Sequence, residues 1–229
     1  SMDIREAEAR YLPEQLRATM ERTGHWGAVR LVPRDTAGSE LLVRGTILES
    51  DGERLVLQIT AQDATGREWF RRTYREEIEH AQYINNGQNN TEVFQPLYNT
   101  IANDLAKFRA TLDTAETTAI RRVAALRFAA DLAPEAFAGY LEEDKDKFRV
   151  VHLPAADDPM FQRVQAIRDR DFLLIDTLNG HFDNFTRQME PPYTEWRKAR
   201  SEEAAALREL ERDAWQRKLL GAAAILGAI

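Results

Sequence analysis

Leu55-Val56-Leu57-Gln58-Ile59-Thr60-Ala61-Gln62-Asp63-Ala64-Thr65-Gly66-Arg67-Glu68-Trp69-Phe70 reads as strand, turn and strand. Leu55, Leu57, Ile59 and Ala61 alternate with Val56, Gln58, Thr60 and Gln62, so one row faces a core and the other faces water. Asp63-Ala64-Thr65-Gly66 supplies turn chemistry, because glycine accepts the positive φ that tight reversals use. The chain resumes as a strand over 67–75, with Trp69 opposite in phase to Phe70 and Tyr74 and on the face of Arg71 and Arg75. Upstream, 40–48 is another strand, joined through the hairpin signal Ser50-Asp51-Gly52-Glu53. Short turns make antiparallel neighbours, so these three strands form a meander.

Working outward, 26–32 also alternates and offers a fourth strand. Residues 3–23 are rich in Ala, Glu, Arg and Leu, with Tyr11, Leu12, Leu16 and Met20 near helical period and Gly24 as the stop. The amide-rich stretch Asn85-Asn86-Gly87-Gln88-Asn89-Asn90 buries no apolar side chain and is expected to be a mobile loop. From Pro96, a residue tolerated at the first helical position, Leu97, Tyr98, Ile101, Leu105 and Phe108 form an apolar stripe. The expected fold class is α+β, an antiparallel three- to four-stranded sheet packed by helices over 3–112.

A mostly helical region over 113–229 follows. Residues 114–132 are helical in composition, 134–141 form a short helix, 142–147 a charged connector, and 148–153 a possible strand. Asp157-Asp158-Pro159 starts a helix in which Ile175, Leu178, Phe182, Phe185 and Met189 recur at steps of three and four. Pro191-Pro192 is expected to end it, since proline removes a donor and pushes the preceding residue out of helical geometry. A last helix then carries Trp196, Leu207, Leu210 and Ala214 in similar phase. Segments 159–190 and 193–229, each roughly 45 Å long at 1.5 Å per residue, are expected to pair as an antiparallel hairpin.

Composition excludes several chemistries. Among 229 residues, 31 Lys and Arg stand against 38 Asp and Glu, and the net charge of −7 argues against nucleic acid as a partner. With no cysteine, there are no disulfides, thiolate metal sites or cysteine nucleophiles. His25, His80, His152 and His181 are isolated from one another and from any His-Glu-x-x-His pair. No nucleophile elbow, dinucleotide glycine fingerprint or phosphate-loop lysine is present, so no catalytic, cofactor-binding or metal site is expected. Asp144 and Asp146 lack the glycine bend of a calcium loop and read as solvated connector. Candidate partner-binding residues are Trp69, Arg71 and Arg75 on one sheet face, and Phe182, Phe185 and Trp196 on the helices.

Ser1-Met2-Asp3 carries no signal-peptide pattern, and Met2 behind a serine looks like the trace of a removed tag. The apolar run over 219–229 is about half the length that spans a bilayer. It either packs as the last turns of a helix or continues a truncated hydrophobic segment.

Thr23-Gly24-His25-Trp26-Gly27-Ala28-Val29-Arg30-Leu31-Val32, then Glu40-Leu41-Leu42-Val43-Arg44-Gly45-Thr46-Ile47, then the Asp-Ala-x-Thr-Gly hairpin with a following Trp at 63–69, resemble an envelope-lipoprotein family. That family includes the TolB amino-terminal domain and the curli-secretion lipoprotein. The resemblance covers 3–110 and lacks the family's opening strand. The helical second half, through Phe128-Ala129-Ala130-Asp131-Leu132-Ala133-Pro134 and into an Ala/Gly-rich carboxyl segment, resembles uncharacterised proteobacterial lipoproteins of the same layout. What the resemblance implies is a non-catalytic periplasmic protein, membrane-anchored through a segment outside this sequence. It would act as a scaffold or assembly factor through protein contacts, with protein partners or homo-oligomers expected. Two alternatives stay open: a cytosolic helical-hairpin adaptor, and a hydrolase using paired carboxylates.

Overall fold

The computed structural model describes residues 2–32, 35, 38–79, 83 and 92–226, with side chains from 7 to 215. Its elements are α1 (Met2–Arg22), β1 (Leu41–Ser50), β2 (Arg54–Asp63), β3 (Glu68–Glu77), α2 (Gln95–Ala110), α3 (Thr114–Leu132), β4 (Leu141–Asp144), β5 (Lys147–Val150) and α4 (Pro159–Leu226). The class is α+β. Strands β1, β2 and β3 form an antiparallel meander in sequence order. Leu57 pairs with Ile47 on one side and Tyr74 on the other, which places the apolar row of β2 over the helices. The amide-rich stretch 85–90 and His80 lie outside the described residues.

The β2–β3 ladder slips where Ala61 faces Phe70 and Gln62 faces Glu68, leaving Trp69 as the extra residue of a bulge. The bulge corrects the expected phase of Trp69: its side chain is buried rather than sharing the exposed face of Arg71 and Arg75. Its ring stacks on Phe108 at 4.9 Å and its Nε1 donates to Asp63 Oδ2 at 2.9 Å. Asp63 also accepts from the Thr65 backbone N–H and hydroxyl, at 2.9 and 2.6 Å, and so closes the turn.

Residues 26–32 form no strand. Leu31 instead exchanges hydrogen bonds with the Asn179 side chain of α4, donating at 2.9 Å and accepting at 3.2 Å. One amide thus satisfies backbone groups that a neighbouring strand would have taken. Residues 134–140 are successive turns, not a short helix. The charged connector is a hairpin, β4–β5, closed by Lys145 and Asp146 with φ of 50° and 64°. Two positive φ values in a two-residue loop match the twist of the flanking strands. The α3 start is a capping box, with the Glu116 N–H donating to Asp113 at 2.7 Å and the Asp113 N–H to Glu116 at 2.9 Å.

The expected hairpin 159–190/193–229 is not formed. α4 runs unbroken for 68 residues, roughly 100 Å at 1.5 Å per residue, with Pro191 and Pro192 inside it. Asp158 caps its start, accepting from the Met160 and Phe161 N–H groups at 2.8 and 2.9 Å. Tertiary anchoring on both sides of the prolines overrides their local preference. The main core joins Leu57, Ile59 and Ala61 to Tyr98, Ile101 and Leu105, and also takes in Val123 of α3 and Tyr193 of α4. A smaller core gathers Leu126, Ala129, Phe137 and Val164.

Candidate interaction surface

α4 is seated by one row of side chains spaced at helical period. Early in the row, Arg168 Nη2 donates to the Gly38 carbonyl at 2.7 Å. Arg30 pairs with Asp176 through Nε at 2.6 Å and Nη2 at 2.9 Å, its guanidinium 4.5 Å from the Phe172 ring. Arg17 pairs with Asp183. Later in the row come Tyr193, Arg197, Ser201 and Arg208, of which the last pairs with the buried Glu53 in the β1–β2 turn.

Arg197 is the centre of this later group and is 2 % exposed. Its Nη1 donates to Glu92 Oε1 at 2.6 Å. The guanidinium carbon lies 4.1 Å from the Tyr193 ring centre, 5.0 Å from Phe94 and 5.4 Å from Tyr11. Glu92 Oε2 accepts from the Tyr11 hydroxyl at 2.6 Å, and Glu8 accepts from Tyr193 at 2.8 Å and Ser50 at 2.5 Å. Burial works against the charge of Arg197, but Glu92 and the neighbouring phenols outweigh it and hold the group protonated. Burial first, and the Glu92 charge second, drive the Tyr11 and Tyr98 hydroxyls well above the usual phenol range. Burial and Glu92 likewise raise Glu190. The backbone closes on the same point, since a Cβ on Gly52 would stand 2.7 Å from the Arg197 carbonyl oxygen.

On the neighbouring flank of α4, Ile167, Leu174, Leu178 and Phe182 recur at seven, four and four residues and share one apolar stripe. They are 43, 58, 44 and 39 % exposed, a large apolar display for side chains on a well-braced helix. Further along, Leu207, Leu210 and Trp215 are exposed as well.

The six expected partner-binding residues fall in separate places. Trp69 is in the core. Arg71 and Arg75 are exposed on the outer sheet face, Arg71 held 3.0 Å from Glu68. Phe182 belongs to the apolar stripe. Phe185 is half-buried with the Arg10 guanidinium 5.9 Å from its ring, and Trp196 is half-buried against Tyr193 at 5.7 Å. The Arg197 cluster was not anticipated. Its signal was the spacing Tyr193-x-x-x-Arg197-x-x-x-Ser201, one polar row on the face that the aromatic residue buries.

Open grooves mark the surface of the described residues. One, about 610 Å³, lies between α3 and β5 beside Thr118, Arg122 and Arg149. Another, about 400 Å³, lies between α1 and α2 beside Arg22, Asn99 and Asn103. Among the described residues, no group of three or more His, Asp or Glu side chains could hold a metal ion. No helix of the described residues is long and apolar enough to cross a membrane. Comparison of the chain with protein families, curated proteins and solved structures found no match.

Proposed function

We propose that this chain is a non-catalytic scaffold or assembly factor of the bacterial envelope, acting through protein–protein contacts and self-association. The observation that carries the proposal is the stripe Ile167, Leu174, Leu178 and Phe182, exposed on a helix that the body holds in place. A fixed apolar row of this kind costs little conformational entropy to dock and offers helical anchors to a partner. The buried carboxylates favour the same reading. Glu8, Glu53 and Asp63 each accept from protein donors, so they are committed to the fold.

The envelope assignment draws on the resemblance of 3–110 to the TolB amino-terminal and curli-secretion lipoprotein family. A cysteine-free chain suits a reducing cytosol equally, which supports an adaptor there as the second reading. Fractionating cells that express the native gene separates the two. Recovery with the envelope, released by detergent, supports the scaffold; recovery in the cytosolic fraction alone assigns the adaptor.

A further inference from the structure

The two halves of α4 are held by different physics. Before the prolines, the polar anchors are paired: Asp176 with Arg30, Asn179 with both backbone groups of Leu31, Asp183 with Arg17. Gln165 Nε2 and Arg168 Nε lack partners there, but those side chains keep contact with solvent. After the prolines, Tyr193 donates to Glu8 and Arg208 pairs with Glu53, but the central contact is a buried cation with a single carboxylate. Arg197 Nε and Nη2 complete no hydrogen bond of good geometry among the described residues, facing the Tyr98 and Tyr193 phenols instead, and the Tyr98 hydroxyl completes none either. Unmade hydrogen bonds at a buried charge offset much of what the aromatic contacts contribute.

Between the halves, Pro191 and Pro192 cannot donate to the carbonyls of Arg187 and Gln188. The helix is weakest there, where its local preference is for a break.

We propose that α4 is a two-part strap hinged at Pro191-Pro192, whose 193–208 part releases from the body as one unit while 159–190 stays docked. Release withdraws Arg197 from Glu92 and Arg208 from Glu53 together, because both sit on one rigid helical segment. It uncovers Tyr11, Phe94 and Tyr98 and frees the rings of Tyr193 and Trp196. The groups facing Arg197 in the closed state are Glu92, Tyr11 of α1, Tyr83, Tyr98 of α2 and Tyr193 of α4 itself, with Glu8 held on the Tyr193 hydroxyl and Glu190 within the field of Glu92. The fold therefore carries a bistable element independent of the apolar stripe.

Amide hydrogen exchange on the whole chain tests this. Amides of 193–208 are expected to exchange at a common rate, about tenfold or more faster than those of 164–186. Replacing both prolines (Pro191→Ala with Pro192→Ala) should slow 193–208 selectively. A staple, Glu53→Cys with Arg208→Cys joined by a reducible bis-maleimide in a chain that has no other cysteine, should abolish the difference, and cleaving the linker should restore it. Protection of 193–208 equal to or above that of 164–186 in the unaltered protein would overturn the proposal. So would a smooth gradient of exchange from the end of the helix.

Discussion

Arg197 Nη1 lies 2.6 Å from Glu92 Oε1 with both side chains shut away from solvent, so the long helix is fastened to the body by a buried ion pair. Such a pair gains little over an apolar substitute, yet breaking it strands a charge in a poor dielectric.

Arg197→Met leaves Glu92 buried without its cation and should cost about 3–5 kcal/mol in urea unfolding. Adding Glu92→Gln removes the stranded charge, so the double variant should be more stable than the single. Costs that simply add would show that the two side chains do not act as a pair.

Gly52 holds φ at +92° in the β1–β2 turn and nearly touches the α4 backbone. Gly52→Ala pays both for that conformation and for a Cβ 2.7 Å from the Arg197 carbonyl, and should destabilise by well over about 1 kcal/mol. Gly24→Ala is the control, with φ of +67° and nothing within 4 Å of its added Cβ. If thermal melting gave equal losses for both, the close approach of α4 to the turn would be refuted.

Glu190 sits beside the prolines with its pKa raised by burial and by the charge of Glu92. A carboxyl with a folded pKa above its unfolded one contributes stability that is present below the unfolded value and lost as pH rises through the folded value. Glu190→Gln should therefore leave stability nearly unchanged near pH 3 and raise it near pH 8 relative to the unaltered protein, roughly spanning the carboxylate range. Urea midpoints at the two ends check the sign, and a variant less stable at the alkaline end would contradict it.

Much of this architecture is legible in the residues. The alternation of Leu55, Leu57, Ile59 and Ala61 marks β2, although Val56, expected on the row facing water, is buried as well. The composition of 114–132 marks α3 because strong helix formers dominate it, and the Asp113–Glu116 capping box fixes its start by local chemistry. What escapes is decided at a distance. Pro191-Pro192 reads as a helix end, and only Tyr193 and Arg197, fastened to residues about a hundred or more positions away, carry the helix through. Trp69 reads as a surface ring because nothing local reports the bulge that turns it inward. Residues 26–32 alternate like a strand, but their hydrogen-bond partner is a side chain, Asn179, which no periodicity predicts. The exposed stripe is legible only in part, since Leu178 and Phe182 read as a hairpin seam, whereas among the described residues that flank of α4 is exposed.

The central claim is that this stripe is a protein-binding surface on which the chain associates with itself. Sedimentation of the protein across the micromolar range measures it most directly. The account predicts a species heavier than one chain whose mass rises with concentration, and its collapse to one chain in the variant Leu174→Glu with Leu178→Glu, which keeps its melting temperature. A single-chain mass for the unaltered protein throughout that range, or a double variant that associates as before, would contradict it.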